Sequence, residues 1–220
     1  MGKNKYIVVA LDGAAGSGKS TTARAICKKY NYIHVDTGLH YRAISLHLLN
    51  LNITPESTPE YFLSSPLILS SKLDEFSVQL FIDGAHYSKS ELRTERMNRE
   101  VSYYARIPEV RALLLNYQRS LPDFGKNRGY SGIIMDGRDI GSVILPDADI
   151  KIFLHADLQV RQNRRLSDGE TDSISTRDQI DSTRKIAPLT CPDDALSIDT
   201  GKLPLEQVLQ LISQKIAFLS

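Results

Sequence analysis

Residues Gly13-Ala14-Ala15-Gly16-Ser17-Gly18-Lys19-Ser20-Thr21 carry the clearest chemistry in the chain. They fit G-x-x-x-x-G-K-[ST], follow an apolar run and open a helical pattern, which are the two contexts the motif requires. Glycines let successive backbone N–H groups curl around phosphate oxygens, and the helix N-terminus adds partial positive charge. Lys19 is placed to reach β- and γ-phosphates, and the Ser20 hydroxyl to hold Mg2+. The segment reads as a loop that binds a nucleoside triphosphate.

A second set of residues suggests what receives the phosphate. Arg42, Arg111, Arg138, Asp139, Arg177, Asp181 and Arg184 are isolated arginines with acidic partners. Bringing two anionic phosphates together requires such side chains, and the fixed donor fork of arginine suits them. Asp36 and Asp136 follow short apolar runs, where one or the other is placed to orient Mg2+-bound water. His40 and His47 lie two helical turns apart without a third ligand, so ordinary packing outweighs a metal site there.

These residues need a scaffold, and the apolar pattern supplies one. Tyr6–Leu11, Ile33–Val35, Ile133–Met135, Ile150–Leu154 and Leu196–Ile198 read as buried strands. Lys19–Tyr30, Tyr41–Leu49 and Leu205–Phe218 read as helices between or after them. Continuous apolar strands alternating with helices predict an α/β fold with a parallel sheet flanked by helices. Two stretches break this rhythm. Residues 54–102 are rich in Ser, Pro and Glu, then alternate from Phe76 to Ile82, as a small antiparallel insert would. Residues 161–188 are charged and poor in apolar side chains, as a flap would be.

Composition narrows the class further. The 220 residues include 27 Lys plus Arg and 26 Asp plus Glu, a formal charge of +1. That balance argues against a dedicated nucleic-acid binder. Cys27 and Cys191 form no C-x-x-C pair, which suits a reducing compartment. The Tyr6–Leu11 run is too short for a signal-peptide core or a membrane span. The expectation is a cytoplasmic monomer that contacts neither membrane nor nucleic acid.

Asp12-Gly-Ala-Ala-Gly-Ser-Gly-Lys-Ser-Thr, Asp36-Thr-Gly-Leu-His-Tyr-Arg42, Asp136-Gly-Arg-Asp-Ile-Gly141 and Asp181-Ser-Thr-Arg-Lys-Ile-Ala-Pro-Leu189 occur in that order. Together they resemble the signatures of bacterial cytidylate kinases, and Leu92-Arg-Thr and Val110-Arg-Ala-Leu-Leu extend the likeness over nearly the whole chain. The resemblance implies a P-loop core (1–53, 103–160 and 189–220), a nucleoside-monophosphate-binding insert (about 54–102) and a lid (about 161–188). It implies phosphorylation of CMP and dCMP by ATP with Mg2+. Carried over by position, it gives Ser102, Arg111 and Asp139 to the cytosine, and Arg177 and Asp181 to the sugar. Arg42, Arg138 and Arg184 go to the acceptor phosphate or the charge in flight. Lys19, Arg138, Asp181 and Arg184 form the implied catalytic set, and adenine is placed near the lid base and the Asp199-Thr200 loop.

The sequence departs from the family pattern at Leu39-His40, at Ser142, at Glu95-Arg-Met and in the short interval from Arg165 to Arg177. The rival readings are another P-loop kinase, acting on adenylate, uridylate or a small non-nucleotide acceptor, and a P-loop regulator that binds nucleotide without transferring phosphate.

Overall fold

A computed structural model describes residues 5–167, 169, 174–183 and 187–219. Its first strand, β1 (Ile7–Gly13), is buried along nearly its whole length and runs into the glycine loop. Helix α1 (Lys19–Tyr30) follows, with Gly18 at its N-cap in the left-handed region at φ +89°, a conformation a side chain would strain. Strand β2 (Tyr32–Asp36) leads into α2 (Thr37–Asn50), and the Asp36 carboxylate caps that helix by accepting from the Leu39 N–H at 3.2 Å.

Beyond α2 come α3 (Thr58–Ser64), the hairpin of β3 (Leu69–Asp74) and β4 (Ser77–Ile82), and the short helix α4 (Lys89–Leu92). Helix α5 (Glu95–Tyr104) precedes α6 (Pro108–Lys126), which starts with a proline at its first turn. Strand β5 (Gly132–Gly137) is wholly buried and ends in a single π-helical turn at Ile140–Ile144. Strand β6 (Ile150–His155), helices α7 (Leu158–Ser167) and α8 (Ile174–Ser182), strand β7 (Leu196–Asp199) and α9 (Leu205–Leu219) complete the described elements.

The seven strands form one sheet in the order β3-β4-β2-β5-β1-β6-β7, parallel except for the β3–β4 hairpin. The hairpin is antiparallel, as its alternation predicts, but it is not a separate sheet. It joins the core beside β2, where His34 pairs with Ser77 and its N–H donates to the Phe76 carbonyl at 2.7 Å. One apolar cluster packs α1 and α9 against β1 and β6, and another packs β5, Ile140 and Ile144 against α6. A third lies beneath the insert, where α2, α5 and α6 meet around Ile44, Tyr104 and Leu114. The segment expected to bury little does bury Ile174, and α8 packs against α5.

Candidate active site

Register sets the site. Asp36 and Asp136 are directly paired at the carboxyl ends of β2 and β5, and Asp12 pairs with Gly137 one strand over. Ligands in open α/β sheets bind beyond these strand ends. A cleft of about 760 Å³ opens there, running from Gly16–Thr21 past Asp36 and Arg138 to Ser102 in the insert.

The loop is held together from several directions. Lys19 Nζ donates to the carbonyls of Gly13 at 2.7 Å and Ala14 at 2.9 Å. Burial, followed by the nearby Arg138 charge, pulls the Lys19 pKa down to about 7. Arg138 also donates to the Gly13 carbonyl at 2.9 Å, and carboxylates of Asp178, Asp136, Asp36 and Asp12 surround it. The Arg164 guanidinium donates to the Thr200 carbonyl at 2.6 Å and to the Gly16 carbonyl at 3.3 Å, while the Thr200 hydroxyl donates to the Ser17 carbonyl at 3.1 Å. The Asp199-Thr200 loop, the base of α7 and the glycine loop are thus one bonded unit. Gly16 permits this approach, since a Cβ there would meet the Arg161 carbonyl at 2.7 Å.

Asp12 is buried and does not face the cleft's phosphate end. It accepts the N–H groups of Ile140 at 2.8 Å and Gly141 at 2.7 Å, and so ties β1 to the π turn that follows Arg138-Asp139. Burial outweighs those two donors and raises its pKa to about 6.

The two other strand-end carboxylates differ. Burial and the neighbouring Asp136 charge raise the pKa of Asp36, whereas Arg93 pairs with it at 3.6 Å. Burial acts on Asp136 as well, but hydrogen bonds from His34 and Ser20 and the Lys19 charge hold its pKa below the ordinary carboxylate value. The Ser20 hydroxyl and the Asp136 carboxylate both line the cleft and offer hard oxygen donors, suited to a divalent cation.

On the insert side, Arg42 is buried and fixed by donation to the Leu92 carbonyl at 2.7 Å and the Asn98 amide oxygen at 2.6 Å. Arg111 on α6 forms a buried ion pair with Asp139, donates to the Ala105 carbonyl at 3.2 Å and faces the Tyr41 ring. Ser102, one helical turn before Arg106 on the α5 side, lines the cleft with Asp139.

The family model described as cytidylate kinase matches residues 9–217. The chain belongs to the cytidylate kinase family. It is 38% identical over 228 aligned residues to the cytidylate kinase of Chloroherpeton thalassium, covering 94% of this chain and 92% of that one. It is 40% identical to the cytidylate kinase of Fusobacterium nucleatum, covering 96% and 97% of the two chains. An uncharacterized protein from Eubacterium ventriosum shares the fold at TM-score 0.52 and 14% identity, over 96% of this chain and 98% of that one.

Ala15–Thr21, Arg42, Ser102, Arg138 and Asp139 line one cleft, Gly13 and Ala14 stand behind it as acceptors for Lys19, and Arg111 reaches it through Asp139. Arg184 and the side chains of Arg177 and Asp181 lie outside the described residues. His40 and His47 do not converge: His40 contacts Gln118, and His47 contacts the Tyr87 hydroxyl at 2.9 Å. Sequence reasoning missed Asp12, His34 and Asn98. Asp12 stands beside the motif and was visible as part of it. His34 and Asn98 carry no signal until strand register and helix packing are known.

Proposed function

We propose that this kinase transfers the γ-phosphate of ATP to CMP and dCMP, forming CDP and dCDP. The observation that carries this reading is the buried Arg111–Asp139 pair, whose Asp139 lines the cleft that begins at the glycine loop. Cytosine presents an exocyclic amine, which a carboxylate accepts from, beside a bare ring nitrogen, which a guanidinium donates to. Uracil reverses both groups. ATP binds at Gly13–Thr21, with Lys19 neutralising developing charge on the transferred phosphoryl group. Arg42 and Arg138 bind the acceptor phosphate, and Ser102 assists Asp139 and Arg111 at the base.

The acceptor phosphate is already largely dianionic at neutral pH, its second pKa being about 6, so no general base is required. Positioning and charge neutralisation supply the catalysis. Ser20 and Asp136 are the residues that would hold Mg2+, which when bound shields the phosphates' charge. We assign Arg177 and Asp181 to the sugar, and Arg184 and Asp181 to the catalytic set, on the family likeness. On the same basis, residues 54–102 serve as the monophosphate-binding insert and 161–188 as the lid, in a cytoplasmic monomer. Among the described residues no helix is long and apolar enough to cross a membrane.

An acceptor panel of CMP, dCMP, UMP, AMP and GMP with ATP and Mg2+ tests the reading. Diphosphate formation fastest with the two cytidine nucleotides supports it, and no nucleoside diphosphate from any acceptor refutes it.

A further inference from the structure

The Asp136 carboxylate has a partner that the family signatures do not include. His34 Nε2 lies 3.3 Å from Asp136 Oδ2, and both residues are buried, at 6% and 2% exposure. A carboxylate offers only acceptor positions, so in this contact the imidazole Nε2–H is the donor. Register explains how they meet. On β2, His34 pairs with Ile134 and Asp36 with Asp136, and side chains two apart share a face. His34, Asp36 and Asp136 therefore stand on one face of two neighbouring strands, with His34 diagonal to Asp136. The backbone beneath the imidazole is fixed, since the His34 N–H donates to the Phe76 carbonyl at the start of β4. The neighbouring Thr37 hydroxyl donates to the Asp136 carbonyl at 2.8 Å, so the carboxylate is anchored at both side chain and main chain.

A carboxylate offers about four lone-pair positions. The imidazole occupies one of them, and Ser20 lines the same cleft as the carboxylate. We propose that His34 is a positioning residue for the divalent cation of the ATP site. It fixes the Asp136 carboxylate so that its remaining acceptor positions face the cation together with the Ser20 hydroxyl. Hydrogen-bonded partners behind a ligating carboxylate set its orientation, and removing such a partner lowers metal affinity by about 10- to 100-fold. The inference rests on the phosphoryl-transfer reading, which places a cation at Ser20 and Asp136.

The test is Mn2+ binding followed by electron paramagnetic resonance, with the full-length protein and a non-hydrolysable ATP analogue. Gln places its amide nitrogen near the position of imidazole Nε2, whereas Asn places it near Nδ1. His34→Gln should keep Mn2+ affinity near wild type, and His34→Asn and His34→Phe should weaken it by about tenfold or more. Analogue binding in EDTA should be the same in all of them, which shows that the loop is intact. Equal Mn2+ affinity in the Gln and Asn variants, or wild-type affinity in His34→Phe, overturns the proposal. Asp136→Asn separates the two levels. If it too leaves Mn2+ affinity unchanged, the cation is not held at Asp136 and the underlying site assignment fails with the inference.

Discussion

Arg111, in the first turn of α6, donates to the carboxylate of Asp139, which leads into the π turn after β5. The pair joins the helix beneath the insert to the core strand that carries Asp136. Both side chains are at least nine-tenths buried. Removing one partner of such a pair leaves an uncompensated buried charge, at a cost of about 3–5 kcal/mol. Asp139→Ala should therefore lose about that much stability in urea unfolding at neutral pH. A loss within about 0.5 kcal/mol, as for an ordinary surface substitution, would show that the pair is not buried as described.

Lys19 is fixed by the loop carbonyls of Gly13 and Ala14, and the proposed function puts its charge where phosphate charge develops. Lys19→Ala should lower kcat by about 100-fold or more while the protein stays folded by circular dichroism. Near-wild-type turnover in the folded variant would remove the glycine loop from the chemistry.

Asp12 gives a pH dependence whose sign is fixed by its raised pKa. Between the unfolded value of 3.8 and the folded value of about 6, the folded state binds more protons at this carboxyl. Its contribution to stability is complete below the unfolded pKa and is lost as pH rises through about 6. Measured against Asp12→Asn, which does not titrate, the wild type should lose about 2 kcal/mol between pH 4 and pH 7, at up to about 1.4 kcal/mol per unit. A stability difference independent of pH over that range contradicts the account of Asp12.

Arg161 joins three parts of the chain. It donates to the Ala15 carbonyl of the loop at 3.1 Å and the Ala156 carbonyl at 2.9 Å, and pairs with Asp178 on α8. Arg161→Ala removes the polar tie that holds α8 to the loop. Amide exchange in Ile174–Ser182 should speed up in the variant, while that of β1 and β5 stays unchanged. Equal exchange in α8 would mean that its packing on α5 alone holds it.

The parts legible in the sequence are those fixed locally. Apolar runs such as Ile150–Leu154 mark strands because both faces of a parallel sheet are covered, and Gly18-Lys19-Ser20 marks the loop because phosphate geometry demands those residue types. The ends were less clear: α2 begins at Thr37 rather than Tyr41, because the Asp36 side chain caps it. Contacts between distant segments left no local trace. His34 reaches Asp136 only through β2–β5 register, and Asn98 meets Arg42 only after α5 packs on α2. The alternation of Phe76–Ile82 marked one strand of an antiparallel insert, but neither its partner Leu69–Asp74 nor the junction of β4 with β2, which rests on the bridge of His34 with Ser77, carries a local signal.

The central claim is that Asp139 and Arg111 choose cytosine within a phosphoryl-transfer site. Uracil leaves two desolvated polar groups unpaired, each costing about 1–3 kcal/mol or more when charged. Asp139→Asn keeps the shape and adds an amide donor able to meet the uracil carbonyl. The decisive measurement is the ratio of kcat/KM for CMP to that for UMP, in wild type and in Asp139→Asn. The account predicts a wild-type ratio of about 100 or more that falls at least tenfold in the variant, with kcat/KM for CMP reduced. An unchanged ratio in a folded Asp139→Asn protein would contradict it.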